Sequence, residues 1–140
     1  MQPAAYKAMT ALDNYIDNSG IDKVHRELIK IRASQINGCA YCVNEHSADA
    51  RKLGVSEQRV YLTAAWREAG DIYTEAEKLI FRMTEEITLI HQQGLTESTY
   101  EKAIASFGEE KTAQIMMAII TINAWNRIGV ATEMHPAKAD

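Results

Sequence analysis

The chain has only two cysteines and two prolines among its 140 residues, and no strong excess of basic charge. Its formal net charge is −4, and its lysines and arginines form no cluster of the kind that binds phosphates. The composition therefore argues against a nucleic-acid partner. Hydrophobic residues make up 46% and charged residues 24%, which is typical of a globular rather than a disordered protein.

Long apolar runs are also missing. The most apolar run, from Ile115 to Ile120, is too short to span a bilayer, and the polar Asn123 soon follows it. Near the N-terminus, Asp13 and Asp17 interrupt the apolar core that a signal peptide would need. We therefore expect no membrane partner and a cytoplasmic location. In a reducing cytosol, a close cysteine pair is more typical of catalysis or metal binding than of a structural disulfide.

Helical patterns account for almost the whole chain, and no stretch alternates like a β-strand. Glycines follow most of the helical segments, and side chains that can cap a helix N-terminus precede several of them. We predict an all-α fold and one domain over residues 1–140. The predicted helices run from Pro3 to Asn18, from Asp22 to about Ile36, from about Cys39 to Leu53, from Ser56 to Trp66, from Glu75 to Gln93, from Thr96 to Phe107, and from Glu109 to about Met134.

The last predicted helix carries apolar residues on more than one face, among them Ile119, Ile120 and Trp125. A helix that is apolar nearly all round must be buried nearly all round, either in the centre of the bundle or against another subunit. Because broad apolar surfaces are seldom left in water, we predict a homo-oligomer.

The two cysteines are Cys39 and Cys42, and His46 follows the second by four residues. On a helix these three side chains share one face. A free cysteine thiol, with a pKa of about 8.5, is mostly protonated at neutral pH, so a nearby base that takes the proton activates it. Two neighbouring thiols can also pass through a dithiol–disulfide cycle, in which one sulfur is oxidised and the other resolves it.

The residues alone leave several assignments open. The helix dipole favours Cys39 as the attacking sulfur, whereas the adjacent base favours Cys42, and we prefer Cys42 because a specific proton acceptor has the larger effect. Glu27, on the preceding helix, is either a buried proton carrier or a plain exposed residue. Inert buried cysteines are a further alternative.

No bound cofactor or metal is expected. The chain has no glycine-rich phosphate loop and no dinucleotide fingerprint. A zinc ion would find only three ligands on the cysteine helix, and no second Cys-x-x-Cys is present to complete a structural site. Thioredoxin-like chemistry also uses Cys-x-x-Cys, but that fold needs strands.

The spacing of Glu27, eleven further residues, Cys39-Ala40-Tyr41-Cys42, three further residues and His46 resembles the signature of the AhpD-like alkylhydroperoxidases. These belong to the wider carboxymuconolactone decarboxylase family. The resemblance is strong over about residues 20–70 and looser elsewhere. It implies an all-helical protein that assembles as a homo-trimer or homo-hexamer.

The resemblance also implies a mechanism. Cys42 would attack a peroxide as the thiolate, and Cys39 would donate a proton and then resolve the oxidised sulfur as a disulfide. His46 would take the proton of Cys42, and Glu27 would complete the relay. The implied reductant is a dithiol, such as a lipoylated protein or a thioredoxin-like donor. Tyr41 departs from the family pattern, which often has a histidine at that position.

Two other functions stay open. One is an oligomeric redox sensor or disulfide reductase that turns over peroxide poorly. The other is a non-redox enzyme of the carboxymuconolactone decarboxylase type, with His46 as acid and base. Lactone-decarboxylating members lack the cysteine pair, so its presence here favours the redox function.

Overall fold

The computed structural model describes residues 2–140, and within this range it contains helices and no β-strand. The predicted all-α fold is confirmed. The helices are α1 (Pro3–Asp17), α2 (Lys23–Asn37), α3 (Ala40–Lys52), α4 (Glu57–Tyr61), a 3-10 helix (Leu62–Glu68), α5 (Glu75–Thr88) and α6 (Glu97–Ala131).

Capping side chains begin several helices where the sequence predicts. The Asp22 carboxylate accepts hydrogen bonds from the backbone N–H groups of Val24 and His25 at the start of α2. Thr74 and Glu77 form the reciprocal capping box of α5. The predicted break at Gly108 appears as a kink inside α6, where φ is 78° and ψ is 170°. These local signals are therefore sufficient to position most helix ends.

Two predicted helices are shorter than expected. Helix α5 ends at Thr88 rather than Gln93, and beyond it Ile90 is 61% exposed, so no burial of apolar surface stabilises further turns. Helix α4 ends at Tyr61, and the chain continues to Glu68 as a 3-10 helix. The tighter turn carries Trp66 into the core, where it is 4% exposed.

Helix α2 lies at the centre of the molecule, in contact with α3, α5 and α6. The main core is a cluster of aliphatic residues from several helices, including Ile16, Ile29, Ala33, Ile80, Met83, Ile115, Ile119 and Ile122. A second cluster packs Leu28 of α2 against Trp66, Tyr73 and Phe81. Because both clusters bury α2, packing holds the C-terminal end of this helix in place. The turn that follows therefore starts from a fixed position.

Helix α1 packs only loosely on the rest of the chain. It contacts α6, and Ile16 is its only buried residue. Tyr6 and Tyr15 are 56% and 47% exposed, and on α6 Ile120 is 45% exposed. The single chain therefore does not bury α6 on every side. None of the helices in residues 2–140 combines the length and apolarity needed to cross a membrane.

Candidate active site

The turn between α2 and α3 places the first cysteine. Gly38 ends α2 in the left-handed conformation, with φ at 69°, which glycine adopts without steric cost. The N–H of Cys39 then donates to the carbonyl of Ser34 over 3.0 Å. Cys39 is the N-cap of α3, and its sulfur accepts a hydrogen bond from the N–H of Cys42. Cys39 therefore lies one position before the first turn of α3. The sequence predicted a helix that begins at about Cys39 itself.

The two cysteines are joined as a disulfide, with their Cα atoms 5.3 Å apart. Both are buried: Cys39 is 2% exposed and Cys42 is 6% exposed. The spacing that predicts a redox pair therefore does bring the two sulfurs into bonding contact. The disulfide corresponds to the oxidised end of a dithiol–disulfide cycle.

His46 and Glu27 meet across the α2–α3 interface. Nδ1 of His46 lies 3.0 Å from Oε2 of Glu27, and Lys30 Nζ lies 3.3 Å from Oε1 of the same carboxylate. The sequence left open whether Glu27 is buried or exposed. In the structure Glu27 is buried, with 9% of its surface exposed. The fold thus brings together all four predicted site residues, two from the α3 helix, one from its N-cap and one from α2.

The environment of Glu27 holds its carboxyl in the ionised form. Burial raises the pKa of Glu27, but the hydrogen bond to His46 and the positive charge of Lys30 lower it by more. The net result is a pKa below the ordinary value of 4.5. The carboxylate is therefore charged at neutral pH, and its hydrogen bond can fix the orientation of the His46 ring.

A pocket of about 600 Å³ opens beside the disulfide. Cys42 and His46 line it, whereas Cys39 and Glu27 do not. Most of the other lining residues come from α1 and α6 and are largely apolar, among them Tyr6, Ile16, Ala118, Ile122, Trp125 and Ile128, and Met134 lines the pocket from beyond the end of α6. A small molecule in this pocket could therefore reach the sulfur of Cys42 and the ring of His46.

Three contributors to the site escaped the sequence analysis. Lys30 pairs with Glu27 and also lines the pocket, and its i,i+3 spacing from Glu27 is a signal that could have identified it. Trp125, one of the apolar residues of the last predicted helix, borders the pocket and donates to the Asp13 carboxylate over 3.1 Å. Gly129 approaches both sulfurs from α6.

A buried polar network joins the α2–α3 turn to α6. The side-chain amide of Asn37 donates to Asn123 over 2.9 Å and to Asn126 over 3.0 Å. Asn126 in turn donates to the hydroxyl of Ser34 over 2.9 Å, and both of these residues are fully buried. We call these four residues the amide clamp. Because unpaired buried amides are costly, the clamp fixes the distance between the turn and α6.

Glu27, His46 and Asp49 are the residues that could most readily hold a metal ion, since their ligand atoms lie within 4.8 Å of one another. Both oxygens of Glu27 already have partners, and Asp49 pairs with Lys52 over 3.3 Å. A metal ion would have to displace these contacts. The absence of a metal cofactor stays a prediction.

Comparisons with known proteins agree with the resemblance described above. The model of the carboxymuconolactone decarboxylase family matches residues 3–86, which is more than half of the chain. The uncharacterized protein YdfG of Bacillus subtilis is 41% identical over 129 residues, which cover 92% of this chain and 87% of that protein.

A solved structure and a shorter match add to this. The crystal structure of a protein of unknown function from Agrobacterium tumefaciens, described as a candidate antioxidant defence protein AhpD, is 40% identical, with a TM-score of 0.93 over 98% of this chain and 94% of that one. The alkyl hydroperoxide reductase AhpD of Streptomyces coelicolor is 39% identical over 70 residues, which cover 48% of this chain and only 39% of that protein. The chain belongs to the carboxymuconolactone decarboxylase family and is AhpD-like.

Proposed function

We propose that this protein is a thiol-dependent peroxidase in which Cys39 and Cys42 form the redox pair. The observation that carries the proposal is the buried Cys39–Cys42 disulfide with Cys42 on the wall of a pocket that His46 also lines. The names of AhpD relatives, which are alkyl hydroperoxide reductases, support the same chemistry.

In the first step Cys42 attacks the peroxide. His46 takes the proton of the Cys42 thiol, and the thiolate sulfur forms a bond to the outer oxygen of the peroxide. The O–O bond breaks, Cys42 becomes a sulfenic acid, and the alkoxide or hydroxide that leaves takes the proton of the Cys39 thiol and becomes an alcohol or water. Since Nδ1 of His46 is bonded to Glu27, Nε2 is the ring nitrogen left to exchange protons with the pocket.

In the second step Cys39 resolves the sulfenic acid. Its sulfur attacks the Cys42 sulfur, the disulfide forms, and the hydroxyl leaves with a proton as water. A dithiol then attacks the disulfide and returns both cysteines to thiols while it is itself oxidised. The burial of Cys39 at 2% and the position of Cys42 at the pocket support Cys42 as the sulfur that meets both substrate and reductant.

The pocket supports an organic peroxide as the substrate. Its apolar wall would bury the carbon body of an alkyl peroxide, whereas hydrogen peroxide has no apolar surface to bury. Each methylene group that leaves water contributes about 0.8 kcal/mol. An organic peroxide should therefore react with a higher kcat/KM than hydrogen peroxide.

We also propose that the chain assembles as a homo-trimer or homo-hexamer. The family resemblance implies the number of copies, and the exposed apolar surface of α1 and α6 supports an interface, since Tyr6, Tyr15 and Ile120 are each about half exposed in the single chain. A second copy packed on this surface would bury these side chains.

The two cysteine variants should fail at different steps. We expect Cys42→Ser to abolish peroxide consumption, because the attacking sulfur is gone. Cys39→Ser should consume a single equivalent of peroxide and then stop, with an oxygen atom added to Cys42, as measured by intact mass and by trapping with dimedone. Full turnover in Cys42→Ser would refute the assignment of the attacking sulfur. Activity on a small carboxylic acid or lactone that survives the loss of both cysteines would indicate the non-redox function.

The Glu27→Gln variant should lose stability in a pH-dependent way. A hydrogen bond to a charged group contributes about 1.5–3 kcal/mol, and the neutral amide keeps only part of it. Because the folded pKa of Glu27 is lowered, its contribution is present above the ordinary value of 4.5 and is lost as pH falls through the folded pKa. Urea denaturation should show a deficit of about 1–2 kcal/mol at about pH 7 that shrinks at about pH 3.

The matched control is Glu45→Gln, which removes an exposed carboxylate next to His46 in sequence. It should leave the free energy of unfolding nearly unchanged. A deficit for Glu27→Gln that is the same at both pH values would show that the charge of Glu27 is not what stabilises the fold.

The pocket wall can be tested with Ile128→Thr, which shortens the side chain and places a hydroxyl where isoleucine has a methylene. Ile128 lines the pocket, so kcat/KM for cumene hydroperoxide should fall about fourfold, the equivalent of about one buried methylene, while kcat/KM for hydrogen peroxide is unchanged. Val130→Thr is the control, because Val130 is 49% exposed. An equal loss for both peroxides would argue against substrate binding at this wall.

The assembly is tested by analytical ultracentrifugation. We expect a species of three or six times the 15.7 kDa chain mass, and Ile120→Glu should dissociate it because it places a charge in the interface. The exposed residue Glu133, substituted by Gln, serves as a control that should leave the assembly intact. A monomer at micromolar concentration would contradict the proposal.

A further inference from the structure

Gly129 lies where α6 passes closest to the redox pair. A Cβ atom at this position would be 3.1 Å from the sulfur of Cys39 and 3.7 Å from the sulfur of Cys42. The first distance is well inside ordinary van der Waals contact between carbon and sulfur, and the second is ordinary contact. The backbone of α6 therefore packs directly against the disulfide, on the side of Cys39.

The backbone at Gly129 has no need of a glycine. Five other glycines of residues 2–140 have positive φ angles, but Gly129 is not among them, and it lies inside the helix Glu97–Ala131. Alanine is more favourable than glycine in a helix interior, because glycine loses more backbone entropy. The close approach to the sulfurs is the feature that makes a glycine favourable here.

The gap between α6 and the cysteines is held at its present width. Asn126, one turn before Gly129, is fully buried and bonded to both Asn37 and Ser34, which lie at the end of α2, just before the turn that carries Cys39. The backbone of Cys39 is also held to the end of α2, because its N–H donates to the carbonyl of Ser34. A methyl group at position 129 could therefore not be accommodated by a simple outward shift of α6 without breaking the amide clamp.

We propose that Gly129 is a positioning residue that leaves the space in which the Cys39–Cys42 disulfide closes. This proposal rests on the redox function proposed above. When Cys39 attacks the Cys42 sulfenic acid, the S–S bond forms and water leaves, and the sulfur of Cys39 is fixed next to Gly129. A free thiol at Cys39 can rotate to another staggered position, whereas a bonded one cannot. A side chain at position 129 therefore opposes the disulfide more than the dithiol.

The test is the redox equilibrium of the Gly129→Ala variant. Wild type and variant are equilibrated in buffers of reduced and oxidised dithiothreitol, quenched by alkylation and quantified by intact mass. We expect the variant to favour the dithiol by about tenfold, a shift of about 30 mV for this two-electron couple. Val130→Ala, at an exposed position next in sequence, should leave the equilibrium at the wild-type value. An unchanged equilibrium in Gly129→Ala would overturn the proposal.

A second pair of variants separates this role from a general packing defect. In a Cys39→Ala background the sulfur is absent, so adding Gly129→Ala should raise the urea midpoint, as expected for a helix interior. In the oxidised wild-type background the same substitution should lower it. A midpoint that Gly129→Ala lowers in the Cys39→Ala background would overturn the proposal, even if Gly129→Ala alone fails to fold.

These measurements use no peroxide, so they fail independently of the proposed activity. A shifted equilibrium in a protein that consumes no peroxide would leave the role of Gly129 standing and remove the peroxidase. An unchanged equilibrium in an active peroxidase would remove the role of Gly129 alone. If both hold, Gly129→Ala should also extend the lifetime of the Cys42 sulfenic acid, which dimedone labelling measures during turnover.

Discussion

The contact between the α2–α3 turn and helix α6 is the constraint on which the site depends. Asn126 on α6 is hydrogen-bonded to Ser34 and Asn37 at the end of α2. Only Gly38 and Cys39 connect the end of α2 to the start of α3. Because a shift of α6 would leave the fully buried amide of Asn126 without its partners, the turn and the helix keep a fixed separation. That separation places the disulfide against Gly129 and leaves Cys42 at the pocket wall.

Electrostatics complete the arrangement that packing begins. Glu27 is nearly buried, and burial by itself raises the pKa of a carboxyl. Lys30 and His46 keep it charged, and the charge in turn fixes the His46 ring beside the pocket. The pair of α2 and α3 thus supplies the proton acceptor, while α6 and α1 supply most of the apolar wall. Each helix contributes a different property to one small volume.

Local signals in the sequence were enough to predict the helices and three residues of the candidate site. Spacing alone places Cys39, Cys42 and His46 on one helix face, and Gly38 marks the turn before them, because these contacts lie within a few residues of each other. The family resemblance added Glu27, whose partner His46 is 19 residues away. The ends of α4 and α5 depended on which side chains the core buries, and local pattern could not reveal this.

The remaining parts of the site come from contacts between residues far apart in sequence. Asn126 and Ser34 are 92 positions apart, and Gly129 faces cysteines from a different end of the chain. No periodicity in the sequence links such residues. Gly129, Asn123 and Asn126 therefore gave no sign, from the sequence alone, that they lie close to the cysteines. Only the packing of α6 on α2 brings them together.

The central claim is that Cys39 and Cys42 form a working redox pair that peroxide oxidises. The most direct test is intact-mass spectrometry of the reduced protein after one equivalent of cumene hydroperoxide, followed by a dithiol. We expect the protein mass to fall by two hydrogens, and the loss to map to a Cys39–Cys42 disulfide. The dithiol should reverse this change. Two free thiols that persist after peroxide treatment would contradict it.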